Sequence, residues 1–173
     1  SALKHATLFS LHFVLADVAT VRYCHAGRLP RRSADWSGLY PVRAGGAQRW
    51  TGFMSSDELP RSGPEKGVVA TANEARASTR GVPLATLAQP SYRRDRILEV
   101  LWVRRDHDLT SMRALQLDLH SEQAAMLLPR LLAALPAGPV RAALAKWDQQ
   151  YFVDSHGAHA FERRRVTADH HRQ

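Results

Sequence analysis

The chain has one cysteine among 173 residues, so Cys24 has no partner for an internal disulfide and no second thiol at zinc-site spacing. No stretch approaches the roughly 18 consecutive apolar residues of a membrane helix, and no membrane partner is expected. The first residues lack the basic-then-apolar pattern of a secretory signal, so any export signal is expected to lie outside them. The Gly-x-Ser-x-Gly elbow of many serine hydrolases is missing, and so is any repeat at solenoid period. Aromatic residues make up 8% and do not interleave with the basic ones, which removes the stacking platform of a single-strand nucleic-acid binder.

Apolar material for a core is present: 45% of residues are hydrophobic, which excludes disorder throughout. Lys and Arg number 24 against 16 Asp and Glu, a formal charge of +8 with a pI near 10.5. A basic binding module for nucleic acid or another polyanion is therefore the alternative reading. The basic residues, however, fall in short clusters, Arg31-Arg32, Arg93-Arg94, Arg104-Arg105 and Arg163-Arg164-Arg165, interrupted by acids and apolar residues. Solvated surface is the default for that pattern, and nucleic acid is not the expected partner.

Residues 1–91 read as strands and loops and residues 92–173 as helices, one segment of α+β class. Leu11 to Val18 has the β-branched and aromatic content of a largely buried strand, and a second strand runs from Val21 to Cys24. Ala19-Thr20 is short enough for a hairpin turn but offers no Gly or Asn for a primed one. Gly27 to Gly46 has the composition of a long irregular connection, the kind that often lines pockets. Gly67 to Ala72 reads as a short buried strand that ends on the polar side chain of Asn73.

Apolar residues from Asp95 to Arg105 follow a helical pattern, and Thr110 is the expected N-cap of a helix bearing Met112, Leu115 and Leu119 on one face. Ser121 can cap another, with Ala124, Leu127, Leu128, Leu131, Leu132 and Leu135 as its core stripe and Pro129 as a kink. Pro136 to Pro139 stops it, a further helix runs from Val140 to Trp147, and Arg163 to Gln173 suits a helix end running into a frayed terminus. The first half supplies too few strands to close a sandwich or barrel alone, so its sheet is expected to continue in further chain.

Among chemical candidates, His156 and His159 could share a helix face, but no third ligand stands at zinc-site spacing; the pair, like His170-His171, reads as structural or exposed histidine. Asp106-His107-Asp108 reads as a charged helix-to-helix connection, since adjacent side chains diverge. Ser1 could in principle use its own α-amine as base, but no strand follows to hold it in a sheet. Asn73 remains, together with Tyr92 to Ile97: an uncharged amide with two N–H donors can stabilise an oxyanion, though most such asparagines end strands or cap turns.

A series of short motifs bears on that choice. Phe13 to Val18 ends Ala-Asp-Val; Gly27-Arg28-Leu29-Pro30-Arg31-Arg32 follows; then Trp50-Thr51-Gly52-Phe53 with Glu58-Leu59-Pro60, and Pro64 to Asn73 ending Thr-Ala-Asn. Tyr92-Arg93-x-x-Arg96-Ile97 comes next, then Gln116-Leu117-Asp118 with Ser121, and Leu144-x-x-Trp147-Asp148 leading to Ser155 and Ala158-x-x-Phe161. In this order they resemble the β subunit of the penicillin acylase family, which includes acyl-homoserine-lactone and cephalosporin acylases.

The resemblance implies an N-terminal-nucleophile hydrolase of αββα architecture, here partial, with strands in the first half and helices in the second. It implies a precursor that cleaves itself into α and β subunits, a periplasmic location, and a small-molecule substrate with a linear acyl-amide bond. The attacking serine would open the β subunit, with its α-amine as base, and is expected upstream of Ser1. Asn73 matches the family's oxyanion-hole asparagine and Arg96 an active-site arginine, for which a structural ion pair is the plain alternative. Two departures stand out. Glu74 replaces a second asparagine and puts an acid beside a site that must stabilise negative charge. Where the family has an acidic stretch serving a structural calcium, Leu84 to Gln89 carries no carboxylate, so no metal or other cofactor is expected from this segment.

Overall fold

The computed structural model describes residues 10–33 and 38–170, with side chains through Arg165. Ser1 and His171 lie outside the described residues, as does the side chain of His170. Two compact units divide between Arg94 and Asp95.

In the first unit, β1 (Leu11–Ala16) pairs antiparallel with β2 (Val21–Ala26) in a register from Leu11↔Ala26 to Ala16↔Val21, and β3 (Arg61–Ser62) pairs antiparallel with the other edge of β2. The hairpin closes without Gly or Asn because Asp17 supplies the acceptor. Its Oδ1 takes the N–H groups of Ala19 and Thr20, both at 2.8 Å, while its own N–H reaches the Thr20 carbonyl at 2.9 Å. β2 turns Tyr23 and His25 inward, both buried. β1 departs from expectation. Leu11 and Leu15 on one face and Val14 on the other are 42 to 47% exposed, because β1 is an edge strand and no second sheet among the described residues covers either face.

A small apolar cluster of Leu29, Leu59 and Leu84, with Met54 against it, sits beside the sheet. It joins segments far apart in sequence: Arg31 forks onto both oxygens of Glu58 at 2.7 Å each, and the Met54 N–H reaches the Leu29 carbonyl at 2.8 Å. The Ser55 N–H and the Arg31 guanidinium hold the Glu58 carboxyl down at about 2.

The strand expected from Gly67 to Ala72 does not form. Glu65 and Val68 bond each other in a tight turn instead, with N–H to carbonyl distances of 2.8 and 3.0 Å and positive φ at Lys66 (49°) and Gly67 (84°). Downstream, side chains rather than a neighbouring strand take the backbone groups of Ala72.

The other elements are α1 (Tyr92–Val103), which opens in the first unit, then α2 (Leu109–Gln116), α3 (Glu122–Ala134), α4 (Pro139–Ala145) and α5 (His156–His170). Asp108, not Thr110, caps α2: its carboxylate takes the Ser111 N–H at 2.7 Å and the Ser111 hydroxyl takes the Asp108 N–H at 2.9 Å. A carboxylate at a helix N-terminus also meets the helix dipole, which favours it over a hydroxyl. Ser121 caps α3 as expected, accepting the Ala124 N–H at 3.1 Å, and α3 runs on through Pro129. Pro139 is the first residue of α4, where its missing N–H costs nothing.

The core of the second unit is Ala124, Leu128, Leu144, Trp147, Ala158 and Phe161, all buried. Trp147 lies 5.4 Å, centroid to centroid, from both Tyr151 and Phe161, and its indole N–H is satisfied by the Gln150 carbonyl at 2.8 Å. Gly157 opens α5 against it. A Cβ there would stand 2.3 Å from both Cβ and Cγ of Trp147, atoms too close to the backbone to swing away.

Gly157→Ala therefore sets a helix-propensity gain of about 1 kcal/mol against overpacking of about 1–3 kcal/mol or more. Overpacking wins, and the urea midpoint of the second unit, followed by near-UV circular dichroism, is expected to fall.

Candidate functional site

Ser10, His12, His25, Asn73, Arg76 and Arg93 line a cleft of about 720 Å³ in the first unit. A second hollow of about 660 Å³, bordered by Leu15, Cys24, Leu59 and Arg61, is mainly apolar. The first gathers groups able to donate, accept and hold protons, and is the candidate site.

Asn73 sits on the cleft in a left-handed backbone conformation, φ 65°, which asparagine tolerates better than most residues. Each group around it is held. The Gln89 N–H donates to the Asn73 carbonyl at 2.9 Å, and the Arg93 guanidinium donates to the Ala72 carbonyl at 2.6 Å and to Asn73 Oδ1 at 3.0 Å. Arginine only donates, so the amide atom facing it must be the oxygen. Nδ2 is left with both protons and no hydrogen-bond partner among the described residues. Arg93 is exposed and forms no ion pair among them.

Glu74 is buried beneath this turn. It accepts the Ala72 N–H at 2.7 Å and the Thr71 hydroxyl at 3.3 Å, pairs with Arg76, and stands 3.7 Å from Arg94 Nε. Burial pulls its pKa upward most strongly of any single influence. The Ala72 N–H, its own N–H and Arg76 together outweigh that and hold it below the usual carboxylate range. The acid that looked adverse beside an oxyanion site is thus neutralised by guanidinium groups.

Behind the turn runs a chain of neutral groups. The Thr71 hydroxyl spends its proton on Glu74, so the 2.9 Å contact with His12 Nδ1 must be donated by the imidazole. His12 is therefore the Nδ1–H tautomer. Tyr23 Oη lies 3.2 Å from His12 Nδ1 and 3.4 Å from His25 Nδ1, and His25 Nε2 is 2.6 Å from Ser10 Oγ. The two imidazole centroids are 4.8 Å apart, and the Arg76 guanidinium lies 4.5 Å over the Tyr23 ring. Burial, then His12 and Arg76, push His25 down to about 4; burial likewise lowers His12 and lifts Tyr23 to about 12.

Arg96 belongs to the second unit. Its Nε donates to Asp118 at 2.7 Å and Nη1 to Glu99 at 2.8 Å, beside an apolar hollow that Val100, Leu115 and Phe152 help line. These contacts are the ion pairs of the plain alternative. Asp106, His107 and Asp108 form the expected connection, with His107 Nε2 3.0 Å from the Leu101 carbonyl. Among the described residues no group of three His, Cys, Asp or Glu could hold a metal ion, and Leu84 to Gln89 offers calcium no carboxylate. Basic clusters are engaged in ion pairs, Arg31 with Glu58, Arg94 with Glu65, Arg104 with Asp106 and Arg165 with Glu162, so a polyanion-binding surface is not favoured.

A sequence profile described as penicillin amidase matches residues 1–168. The chain belongs to the penicillin amidase family. It is 30% identical over 164 residues to the penicillin acylase 2 proenzyme of Pseudomonas sp. (strain SE83), covering 89% of this chain and 21% of that protein. Its fold is similar to that of a thermostable penicillin G acylase from Alcaligenes faecalis, with a TM-score of 0.59 at 20% identity, over 82% of this chain and 28% of that one. The chain spans about a fifth of the length of the curated relative. Within a penicillin amidase the order of short motifs gains a physical meaning. Leu29 of the Gly-Arg-Leu-Pro segment meets Leu59 of the Leu-Pro element in one cluster, and Arg93 of the Tyr-Arg segment closes onto Thr-Ala-Asn.

Sequence reasoning kept Arg93 only within the Tyr92 to Ile97 segment, gave the site role there to Arg96, and did not single out His12 or His25. The available signal was a histidine at an inward position of β2, two residues from buried Tyr23. His25 binds its proton less readily folded than unfolded, so folding stability is lost as pH falls from about 6.5 towards 4. Glu74 adds a loss in the same direction at the acidic end. Exchange protection of the Val21–Ala26 amides, corrected for intrinsic rates, is expected to drop between pH 7 and 5, and His25→Phe to flatten the drop.

Proposed function

We propose that this chain is the part of a penicillin-acylase-type amide hydrolase that supplies the oxyanion donor, Asn73, while the nucleophilic serine comes from other residues of the same precursor. The observation that carries the reading is the Arg93 contact to Asn73 Oδ1 at 3.0 Å, which commits the amide oxygen and leaves the N–H pair for the cleft. Attack of a serine hydroxyl on an amide carbonyl puts a full negative charge on one oxygen. An N–H donor held in advance stabilises that charge without reorganising, and the exposed Arg93 adds favourable potential behind it. The surrounding histidines are neutral near pH 7 and add no charge to the cleft.

The family supports an amide hydrolase. The substrate in this proposal is a linear acyl-amide of the penicillin or N-acyl-homoserine-lactone type, and the compartment the periplasm. The three-stranded sheet would be one part of a four-layer αββα arrangement completed by the rest of the β subunit and the α subunit. Arg96 is retained in the proposal as a second site residue, acting through its fixed guanidinium.

In the complete processed enzyme, Asn73→Ala is expected to lower kcat on the order of 100-fold or more with a smaller change in KM. A processed, folded Asn73→Ala enzyme with unchanged kcat would end the assignment. Arg96→Lys keeps the charge but loses the fork onto Asp118 and Glu99; a drop in kcat at unchanged thermal midpoint supports a site role, and a lowered midpoint at unchanged kcat removes it.

A further inference from the structure

We propose that Glu74 is the positioning residue for the Asn73 amide, holding the turn in the one backbone conformation that aims Nδ2 into the cleft; this rests on the reading of Asn73 as the oxyanion donor. The geometry is a loop-back. The Glu74 carboxylate returns across its own turn to take the N–H of Ala72 and the hydroxyl of Thr71, so four consecutive residues are laced together through one buried group. The backbone of Glu74 is fixed as well, since it forms an isolated parallel bridge with Gln89, whose N–H holds the Asn73 carbonyl.

A left-handed φ at a non-glycine residue persists only where its surroundings over-determine it. Here Gln89, Arg93 and Glu74 do so from three directions. Glu74 acts on the backbone immediately before Asn73, and rotation there would swing the amide as a whole. Asparagine at this position would have a side chain one methylene shorter and no charge for Arg76 and Arg94 to meet. The glutamate thus serves this chain as an anchor, with its negative charge consumed by the two guanidinium groups. Thr71 extends the anchor to His12 in β1, so the turn is fastened to the sheet as well as to itself.

The test is a double-mutant cycle in the complete processed enzyme, on any amide substrate it turns over. Glu74→Ala is expected to lower kcat between about 10- and 100-fold, the scale of an ångström-level misplacement, with KM changed less than about threefold. In an Asn73→Ala background the same change should cost little, because the amide it positions is gone. Equal losses in both backgrounds would overturn the positioning role while leaving Asn73 as donor. An Asn73→Ala enzyme of unchanged kcat would overturn both readings together. Should Glu74→Ala fail to fold, Glu74→Gln keeps the acceptor for the Ala72 N–H and loses only the charge. Its kcat is expected between wild type and Glu74→Ala, and a Glu74→Gln enzyme whose loss is additive with Asn73→Ala would refute the proposal.

Discussion

Asn73 holds a φ of 65° because a buried carboxylate, a guanidinium and a backbone N–H converge on the three peptide units around it. A left-handed residue with a Cβ is strained by the contact between that Cβ and its carbonyl oxygen, and asparagine lowers the cost without abolishing it. The compensation is paid in hydrogen bonds to charged groups, individually stronger than neutral ones. Remove the convergence and the chain from Thr71 to Glu74 has no regular secondary structure to fall back on, since no ladder passes through it. The candidate site therefore depends on side chains to a degree that a site at the end of a strand would not.

The second unit is built on the opposite plan. Backbone bonds within α3, α4 and α5 are satisfied locally, and what fixes the helices is apolar contact around Trp147. Gly157 is the sole residue type that lets α5 approach that indole, while the indole N–H ends on a backbone carbonyl and buries no unpaired donor. A tolerance of a few tenths of an ångström governs this core; in the first unit it is the proton inventory that governs.

That contrast explains what was legible in sequence. Helices α1 to α4 announced themselves by apolar spacing, by Ser121 and by Pro139, because local rules decide them, while of α5 only the charged end from Arg163 was read as helix. The hairpin was legible from its flanking strands and short connection, but its turn carried no Gly or Asn signal, since Asp17 substitutes a side-chain acceptor for a positive φ. Gly67 to Ala72 misled for a different reason. Valines and alanines satisfy a strand pattern, and nothing local reveals that Glu65 and Val68 close on each other first. Asn73 could be singled out by motif order, while its anchors could not: Arg93 lies 20 residues away and His12 59 residues from Thr71, contacts that only the folded chain creates. Arg93 and Arg96 share one short motif, and spacing alone does not say which guanidinium reaches the asparagine.

The excess of basic residues bears on the same point. With 24 Lys and Arg against 16 Asp and Glu, most acids are outbid, and the acids that are buried or half-buried become hubs: Glu58 takes Arg31, Glu74 takes Arg76 and Arg94, Asp118 takes Arg96. In the cleft, Arg93 bonds neutral acceptors, the Ala72 carbonyl and Asn73 Oδ1, and so keeps its positive charge there. A buried carboxylate under the proposed oxyanion donor would oppose the proposed chemistry if its charge stood alone, by simple Coulomb repulsion in a medium less polar than water. Compensated by two guanidinium groups, it leaves the potential at the amide to Arg93 and to the Nδ2 protons. Both favour an anion. The arrangement reconciles an acidic residue at position 74 with the proposed stabilisation of negative charge at position 73: the local sequence, Asn-Glu-Ala-Arg, already places Arg76 two residues from Glu74, and the fold brings Arg94 from 20 residues away.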